Sequence, residues 1–426
     1  MSADRPSGMA SAPAAPGVAP AIPVVLVDVS RVQRRFLRSA LESTPEFEVV
    51  GEASNGREAV AMVERLGPAA VLMDLELSVI DGIEAIERIM ASRPTPIVVY
   101  SALVDAAHSA KAIEALAAGA VDVFAKPEWG EGGRLDEHAD EIRRRLRVAA
   151  RVKVITHPRG RLRGSDALGR SIPPQPSPAA PLAQPRPAPA RSSAVREPEP
   201  RHASSKDGAA REPARSTSTA KAAVRRRAPA IEPRSTITQL VAIGASTGGP
   251  QALATVLSHL PRDFSPAILV VQHMAEGFIP GLVSWLDGLL ALPVHQGASG
   301  RRLQPGTITV APSGLNLLVL DRLRVVCEPA PERQFHVPGV DASFTSIAES
   351  LGPEAIGVLL TGMGRDGAVG LKAMRDRGAT TLGQDEATSA VYGMPHAGFE
   401  MGAVEHQLPI GDIGPAILTL VQGTVS

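Results

Sequence analysis

The sequence predicts an α/β protein with two domains, each built on a mainly parallel sheet. Residues 23–150 and 236–426 both alternate short β-branched runs with helical patterns, which is typical of parallel sheets covered by helices. Between them, residues 151–235 are rich in Pro, Ala, Ser and Arg and have almost no large apolar residues, as expected of a disordered linker. The length of 426 residues also exceeds what one hydrophobic core usually organises.

The first domain contains five strand-like runs, each followed by a helical pattern. The strands are expected at 22–27, 47–53, 69–74, 95–101 and 121–126. The helices are expected near 30–43, 56–66, 81–92, 105–118 and 136–149. This (βα)5 order predicts a doubly wound parallel sheet, in which ligands bind at the carboxyl ends of the strands.

The second domain alternates in the same way but with different spacing. Its strands are expected at 239–245, 267–273, 307–312, 355–362 and 380–384. Its helices are expected around 249–259, 276–290, 341–351, 366–377 and 411–422. We therefore predict a second, Rossmann-like α/β domain.

The remaining segments bear on location and partners. Residues 1–22 lack the basic and apolar regions of a signal peptide and are expected to be a disordered tail. No apolar run approaches the roughly 20 residues of a membrane span, and the single cysteine, Cys327, fits a reducing cytoplasm. The linker, 151–235, carries 18 Lys and Arg against 6 Asp and Glu. We expect a solvated spacer rather than a nucleic-acid site, because no aromatic residues stand among its arginines.

Polar side chains close several strands of the first domain. Asp28, Asp74, Ser101 and Lys126 each stand where a predicted strand ends, so the parallel sheet should bring them to one edge. Two carboxylates, a hydroxyl and an ammonium are the groups needed to hold Mg²⁺ and to phosphorylate a carboxylate. The layout resembles the flavodoxin-like receiver domain of two-component response regulators over residues 23–128. The resemblance implies phosphorylation of Asp74, with Ser101 as the switch hydroxyl and Lys126 in the pocket.

Two places depart from the receiver pattern. Receivers usually have two adjacent acids after the first strand, and here the pair is Asp28 and Val29. The resemblance implies that the second acid binds the metal directly, so a Mg²⁺ site made of Asp28 and Asp74 should be weak. Leu77 and Ser78 also replace the usual Met-Pro. The domain is therefore either a weakly phosphorylated receiver or one that acts by docking alone.

The clearest candidate for chemistry is Ser246, in the stretch IGASTGGP. Gly244 to Gly248 match G-x-S-x-G, whose small residues allow a sharp strand-to-helix turn that exposes the serine hydroxyl. The helix N-terminus at such a turn favours negative charge on a developing oxyanion. A structural or phosphate-binding turn is the alternative, although the lysine of a P-loop and the spacing of a dinucleotide motif are both missing.

Two further residues would complete a nucleophilic site. His273 ends the next predicted strand, so parallel pairing would bring its ring beside Ser246 as a general base. Asp366 follows a later strand and a glycine-rich turn, where it could orient the histidine or cap the next helix. Other histidines fall in helices, loops or turns with less obvious access: His259, His295, His336, His396 and His406.

The motifs IGASTGGP, QHM, TGMGRDG and YGMP, in this order, resemble those of the CheB family of chemotaxis methylesterases over about residues 236–423. The resemblance implies that the serine, histidine and aspartate above form a catalytic triad, with Met363 and Thr247 near the oxyanion or the substrate. It implies hydrolysis of glutamate γ-methyl esters, and deamidation of glutamines, on methyl-accepting chemotaxis receptors in the cytoplasm. No cofactor is expected for catalysis, and Mg²⁺ would serve only the receiver.

A receiver followed by a methylesterase domain is also the domain order of that family. There the unphosphorylated receiver covers the catalytic cleft, and phosphorylation by a chemotaxis histidine kinase relieves the block. Given Val29 and the long linker, we expect weaker or phosphorylation-independent inhibition here. A non-enzymatic adaptor and a transcriptional regulator are the alternatives. The complete triad argues against the first, and the missing helix-turn-helix pattern argues against the second.

Overall fold

The computed structural model describes residues 20–102, 106–127, 135–152, 236–275, 277–332, 334 and 336–422. Most of the predicted tail, 1–22, and of the predicted linker, 151–235, lies outside these residues. Among the described helices, none has both the length and the apolar character that crossing a membrane requires.

The N-terminal domain is a five-stranded parallel sheet in the order β2-β1-β3-β4-β5, as the (βα)5 pattern predicted. Its strands are Ile22–Val27 (β1), Phe47–Ala53 (β2), Ala70–Met73 (β3), Ile97–Ser101 (β4) and Asp122–Ala125 (β5). Its helices are Arg31–Glu42 (α1), Gly56–Leu66 (α2), Gly82–Ser92 (α3), Ala106–Ala118 (α4) and Leu135–Ala149 (α5). Every residue of β3 and β4 is buried, because helices cover both faces of the sheet.

Short polar residues start the first three helices of this domain. The side chains of Ser30, Asn55 and Asp81 accept hydrogen bonds from backbone N–H groups three residues further on, at 3.3, 3.0 and 2.8 Å. Such caps pair backbone donors that have no partner within the helix. They therefore fix where each helix begins after its strand and loop.

The C-terminal domain is a seven-stranded parallel sheet in the order β14-β13-β12-β6-β7-β9-β8, with a separate antiparallel pair, β10-β11. The strands are Leu240–Ala245 (β6), Ala267–Gln272 (β7), Val294–Gln296 (β8), Ile308–Val310 (β9), Asn316–Val319 (β10), Val325–Glu328 (β11), Ala355–Leu359 (β12), Thr380–Gln384 (β13) and His406–Leu408 (β14). The helices are Gly249–Leu257 (α6), Ile279–Leu289 (α7), Val340–Ser350 (α8), Ala368–Asp376 (α9), Met394–Glu400 (α10) and Ile410–Gln422 (α11). The prediction of a second α/β domain with a mainly parallel sheet is confirmed.

Five elements of this domain were not predicted: β8, β10, β11, β14 and α10. The four strands have only three or four residues each, and the helix has seven. Segments this short contain too few repeats of the hydrophobic pattern to be recognised in a sequence. The predicted strand 355–362 also ends early, at Leu359, because Thr361 and Gly362 leave the sheet and turn toward Ser246.

The two domains share one apolar core. Ile113 and Leu116 of α4 belong to the same buried cluster as Ile279 and Leu282 of α7. The helices α4 and α7 come very close, since a Cβ on Gly281 would lie 2.5 Å from Ser109 Oγ.

Polar contacts reinforce this domain contact. Gln251 Nε2 donates to Leu116 O at 2.6 Å and to Ala120 O at 2.8 Å. These hydrogen bonds tie α6, which follows the candidate nucleophile, to the end of α4. The N-terminal domain is thereby held close to the carboxyl ends of β6 and β7.

Candidate active site

Ser246 lies in the turn between β6 and α6, and its backbone is held by three hydrogen bonds. Its N–H donates to Thr361 O at 3.0 Å, and its carbonyl oxygen accepts from Gly249 N and from Gln272 Nε2, both at 2.8 Å. Gly248 in the same turn has a φ of +75°, a conformation that glycine adopts at no steric cost. The sharp turn predicted from G-x-S-x-G is present.

Gly362 packs directly against this turn. A Cβ on Gly362 would lie 2.7 Å from Ser246 Cβ and even closer to Met394 Sδ. Dispersion attraction between non-bonded carbon atoms is optimal at about 3.5–4.0 Å, and much shorter distances are repulsive. Any residue larger than glycine would therefore push the serine away. The glycine N–H donates to Val391 O at 3.0 Å, which ties the close approach to the loop before α10.

His273 follows β7 directly and lies beside Ser246, as the parallel pairing predicted. Its backbone N–H donates to Ala245 O at 3.0 Å, which continues the ladder between β6 and β7. Its ring nitrogen Nε2 lies 2.7 Å from Asp366 Oδ2. The other ring nitrogen, Nδ1, is buried and has no hydrogen-bond partner in the described part of the chain. With the proton on Nε2, the lone pair of Nδ1 is the one left to act as a base.

Asp366 collects donors from several elements. Oδ2 also accepts from Val340 N at 2.8 Å, while Oδ1 accepts from Asp341 N at 2.9 Å and from Gly367 N at 3.0 Å. Burial opposes its ionisation, but the hydrogen bond and charge of His273 and these backbone N–H groups lower the pKa of Asp366 below its usual range. The carboxylate thus caps the start of α8, a helix distant in sequence, as well as orienting the histidine.

Asp341 is a second carboxylate at this position, and sequence reasoning missed it. Its Oδ1 accepts from Gly370 N at 2.7 Å, which joins the start of α8 to α9. Burial and the neighbouring charge of Asp366 raise the pKa of Asp341. An aspartate in the first turn of a predicted helix was the available signal, but aspartate is common there for reasons of helix stability alone.

His336 is the second residue that sequence reasoning missed. Its ring is stacked on that of His273, with centroids 4.4 Å apart and an angle of 14° between the planes. Its position in the sequence indicated no obvious access to Ser246. The contact joins segments more than sixty residues apart, and no local pattern in the sequence indicates it.

The predicted substrate-side residues line the same cavity as these groups. Met363 and Thr247 border a cavity of about 520 Å³ together with Ser246, His273 and His336. Thr361 Oγ1 donates to Thr247 O at 3.0 Å, which fixes the first residue after the serine. The structure therefore brings together all five residues predicted for this site.

The polar residues of the N-terminal domain also meet at one sheet edge. Lys126 Nζ lies 2.7 Å from Asp28 Oδ2 and 2.6 Å from Asp74 Oδ2. Burial raises the pKa of Asp74, and the ammonium of Lys126 opposes that shift. Ser101 closes β4 and is buried, and its carbonyl oxygen accepts from Lys126 N at 2.9 Å.

A divalent metal fits this pocket poorly. The remaining oxygens, Asp28 Oδ1 and Asp74 Oδ1, accept from Ser30 N and Leu75 N, both at 2.8 Å. Val29 supplies no ligand, and its apolar side chain is 49% exposed. In the described part of the chain, no group of three or more His, Cys, Asp and Glu side chains could hold a metal ion. Mg²⁺ would have to displace Lys126.

Comparison with known proteins identifies both domains. Residues 241–417 match the CheB methylesterase family, and residues 24–134 match the response regulator receiver domain. A protein-glutamate methylesterase/protein-glutamine glutaminase of Paramagnetospirillum magneticum is 37% identical over 95% of this chain and 97% of its own length. The chain belongs to the CheB methylesterase family. A second relative with that name, from Moorella thermoacetica, is 38% identical over 94% of this chain and 98% of its own. The solved CheB methylesterase catalytic domain of Thermotoga maritima is 32% identical over 42% of this chain and 97% of its own, with a TM-score of 0.42.

The receiver domain of this chain forms one wall of the cavity around Ser246. Glu141, Arg144, Arg145 and Val148 of α5 line it. Arg144 Nη1 lies 3.6 Å from Met363 Sδ, so the receiver touches the methylesterase domain beside the serine. Glu141 accepts from Arg144 Nε and Nη2, both at 2.6 Å, which holds the guanidinium in this position. Helix α5 therefore bounds this cavity on the side of the receiver domain.

Proposed function

We propose that this protein hydrolyses glutamate γ-methyl esters, and deamidates glutamines, on methyl-accepting chemotaxis receptors, with Ser246, His273 and Asp366 as its catalytic triad. One observation carries the proposal: Nε2 of His273 is bonded to Asp366, its buried Nδ1 has no partner in the described residues, and His273 lines the same cavity as Ser246. The names of the relatives support the substrate class. Substrates on the cytoplasmic helices of receptors would place the enzyme in the cytoplasm.

The first half of the reaction releases methanol. Ser246 Oγ attacks the ester carbonyl carbon while its proton passes to His273 Nδ1. The tetrahedral intermediate then breaks its bond to the methoxy oxygen, which takes the proton from Nδ1 and leaves as methanol. For a glutamine substrate the leaving nitrogen takes that proton and departs as ammonia. Asp366 stabilises the positive charge that the imidazole carries between these transfers.

The second half regenerates the enzyme. Water attacks the acyl carbon and gives a proton to His273 Nδ1. The bond to Ser246 Oγ breaks, the serine recovers the proton, and a receptor glutamate is released. Negative charge develops on the carbonyl oxygen in both halves, beside the N-terminus of α6. We propose that Thr247 and Met363 border this oxygen, where backbone N–H groups and the helix dipole favour negative charge.

Methanol release from methylated receptor fragments tests this proposal. Ser246→Ala should lower kcat by more than about 10⁴-fold, because only binding and oxyanion stabilisation would remain. Ser258→Ala, at the C-terminal end of α6, is the matched control and should keep wild-type turnover. Equal rates for Ser246→Ala and the wild type would favour an adaptor with a vestigial site.

For the receiver, we propose inhibition that depends little on phosphorylation. Three observations support this: Lys126 bridges both carboxylates, Val29 replaces an acid, and α4 shares an apolar core with the methylesterase domain. Asp74 remains the only proposed phosphorylation site, with a chemotaxis histidine kinase as the donor. Measurement of intact mass and of turnover after incubation with acetyl phosphate and Mg²⁺ tests the proposed inhibition. Stoichiometric phosphorylation with a large rise in turnover would overturn it.

A further inference from the structure

The hydrogen bond to Asp366 does not by itself set the plane of the His273 ring. Nε2 lies nearer the line of the Cβ–Cγ bond than Nδ1 does, so rotation about that bond displaces Nδ1 farther than Nε2. Nδ1 has no hydrogen-bond partner in the described residues that would stop this rotation. A base must lie within hydrogen-bond reach of the proton it takes, so the ring plane matters for catalysis.

The flat contact on His273 comes from His336. The two rings are nearly parallel, at 14°, with centroids 4.4 Å apart. Rotation of the His273 ring about Cβ–Cγ would drive its edge into this neighbour. We propose that His336 is a positioning residue that holds the ring plane of His273 in the orientation from which Nδ1 takes the proton of Ser246. The proposal rests on the proposed catalytic role of His273.

A built scaffold fixes the position of His336. Asn316 of β10 is buried, and its amide exchanges two hydrogen bonds with that of Gln334, both at 2.8 Å. Gln334 Nε2 also donates to His336 O at 2.6 Å, and Asn316 Oδ1 accepts from Gly339 N at 2.8 Å. These hydrogen bonds hold the backbone at the histidine and three residues after it. The ring is therefore placed by the framework of the domain and not by a free loop.

The charge of His336 also suits this role. Burial comes first, and with the neighbouring His273 and Arg144 it lowers the pKa of His336 to about 4, while Asp366 and Glu141 act in the opposite direction. At neutral pH the ring is therefore uncharged. A neutral ring can remain stacked on His273 when that residue becomes a cation during the reaction, whereas a charged ring would repel it.

Three substitutions in the full-length protein separate positioning from simple filling of space. His336→Phe keeps a flat, uncharged ring, His336→Leu keeps the apolar volume without a flat face, and His336→Ala removes both. We expect kcat to fall about 10²-fold in the Ala and Leu variants, with KM nearly unchanged, and to recover most of that loss in Phe. His396→Leu, on the exposed side of α10, is the control and should keep wild-type kcat.

Two readouts keep this inference distinct from the proposed function. Methyl-ester turnover on receptor fragments depends on the proposed substrate and on the positioning of His273. The rate of inactivation by diisopropyl fluorophosphate needs no receptor and reports the reactivity of Ser246. The same order, wild type and Phe above Leu and Ala, in the inactivation rate supports positioning even if receptor turnover is absent. Equal rates for Phe and Leu, or an unaffected Ala variant, would overturn it. Thermal unfolding of each variant confirms that the rates compare folded proteins.

Discussion

His273 presents Nε2, and not Nδ1, to Asp366, at 2.7 Å. In the familiar Ser-His-Asp arrangement of chymotrypsin-like proteases, Nδ1–H donates to the aspartate and Nε2 takes the serine proton. In the proposed triad the two nitrogens exchange these roles, and the strand ladder places the backbone of His273 beside Ala245, the residue before Ser246. Under this proposal Nδ1, the nitrogen nearer the backbone, takes the proton of the serine.

Asp366→Asn should reduce kcat by roughly 10³- to 10⁴-fold. The amide cannot accept hydrogen bonds from His273 and three backbone N–H groups at once, so the ring loses both its orientation and its charge partner. Asp376→Asn, at an exposed residue that forms an ion pair with Lys372, is the control. Steady-state methanol release measures both, and a wild-type kcat for Asp366→Asn would remove it from the proposed mechanism.

Gly362→Ala should lower turnover at least 10-fold, because the new methyl group would lie 2.7 Å from Ser246 Cβ. Gly411→Ala tests the same chemical change where nothing lies within 4 Å, and should leave turnover unchanged. Kinetics and the thermal unfolding midpoint should be measured together. An active Gly362→Ala enzyme would show that the close approach does not position the serine.

Gly281→Ala should raise basal turnover by loosening the receiver. Its methyl group would lie 2.5 Å from Ser109 Oγ and 2.8 Å from Ser109 O, so α4 has to move away from α7. Gly288→Ala lies in the same helix with nothing within 4 Å, and should have no effect. Both changes favour helix formation equally, so the comparison isolates the domain contact. Identical turnover in the two variants would mean that the receiver does not restrain the enzyme through this contact.

Val29→Asp should make the receiver phosphorylatable. A second carboxylate would give Mg²⁺ a ligand beside Asp28 and Asp74, and hard oxygen ligands are what this ion requires. We expect the intact mass to rise by one phosphoryl group after incubation with acetyl phosphate and Mg²⁺. Adding Asp74→Asn to Val29→Asp should abolish the increase. If wild type and Val29→Asp were phosphorylated equally, Val29 would not be the limiting defect.

His336 should make the protein less stable in acid. Its pKa of about 4 lies below the ordinary value of 6.5, so between these pH values the unfolded chain binds a proton that the folded protein does not. The free energy of unfolding therefore falls as pH drops from 7 toward 4. In His336→Phe no proton binds at this position in either state, so its thermal midpoint should decrease less between pH 7 and pH 5. Equal decreases would show that His336 is not held neutral by the fold.

The sequence predicted those site residues that stand directly at the ends of strands. Ser246 and His273 directly follow neighbouring parallel strands, so strand order alone brought them together. Asp366 was predicted as a partner from its glycine-rich turn, but its bonds to Val340 N and Asp341 N were not. Those bonds depend on how α8 packs, and residue spacing carries no information about them.

The role of the loop histidine and the particular helices that join the two domains were beyond sequence reasoning for a similar reason. The amide pair of Asn316 and Gln334 holds His336 in place beside His273. These two polar residues lie in short segments without a periodic pattern. The approach of Gly281 to Ser109 joins helices from different domains. Each depends on tertiary packing, which a single sequence does not specify locally.

Capture of the acyl-enzyme tests the central claim most directly. Wild-type protein is mixed with a methylated receptor fragment, quenched in acid within the first turnovers, and digested to locate any added mass. The proposed mechanism predicts the receptor fragment on the peptide that contains Ser246, and no adduct in Ser246→Ala. Methanol release without an adduct in the wild type, or an adduct on another residue, would contradict the assignment of Ser246 as the nucleophile.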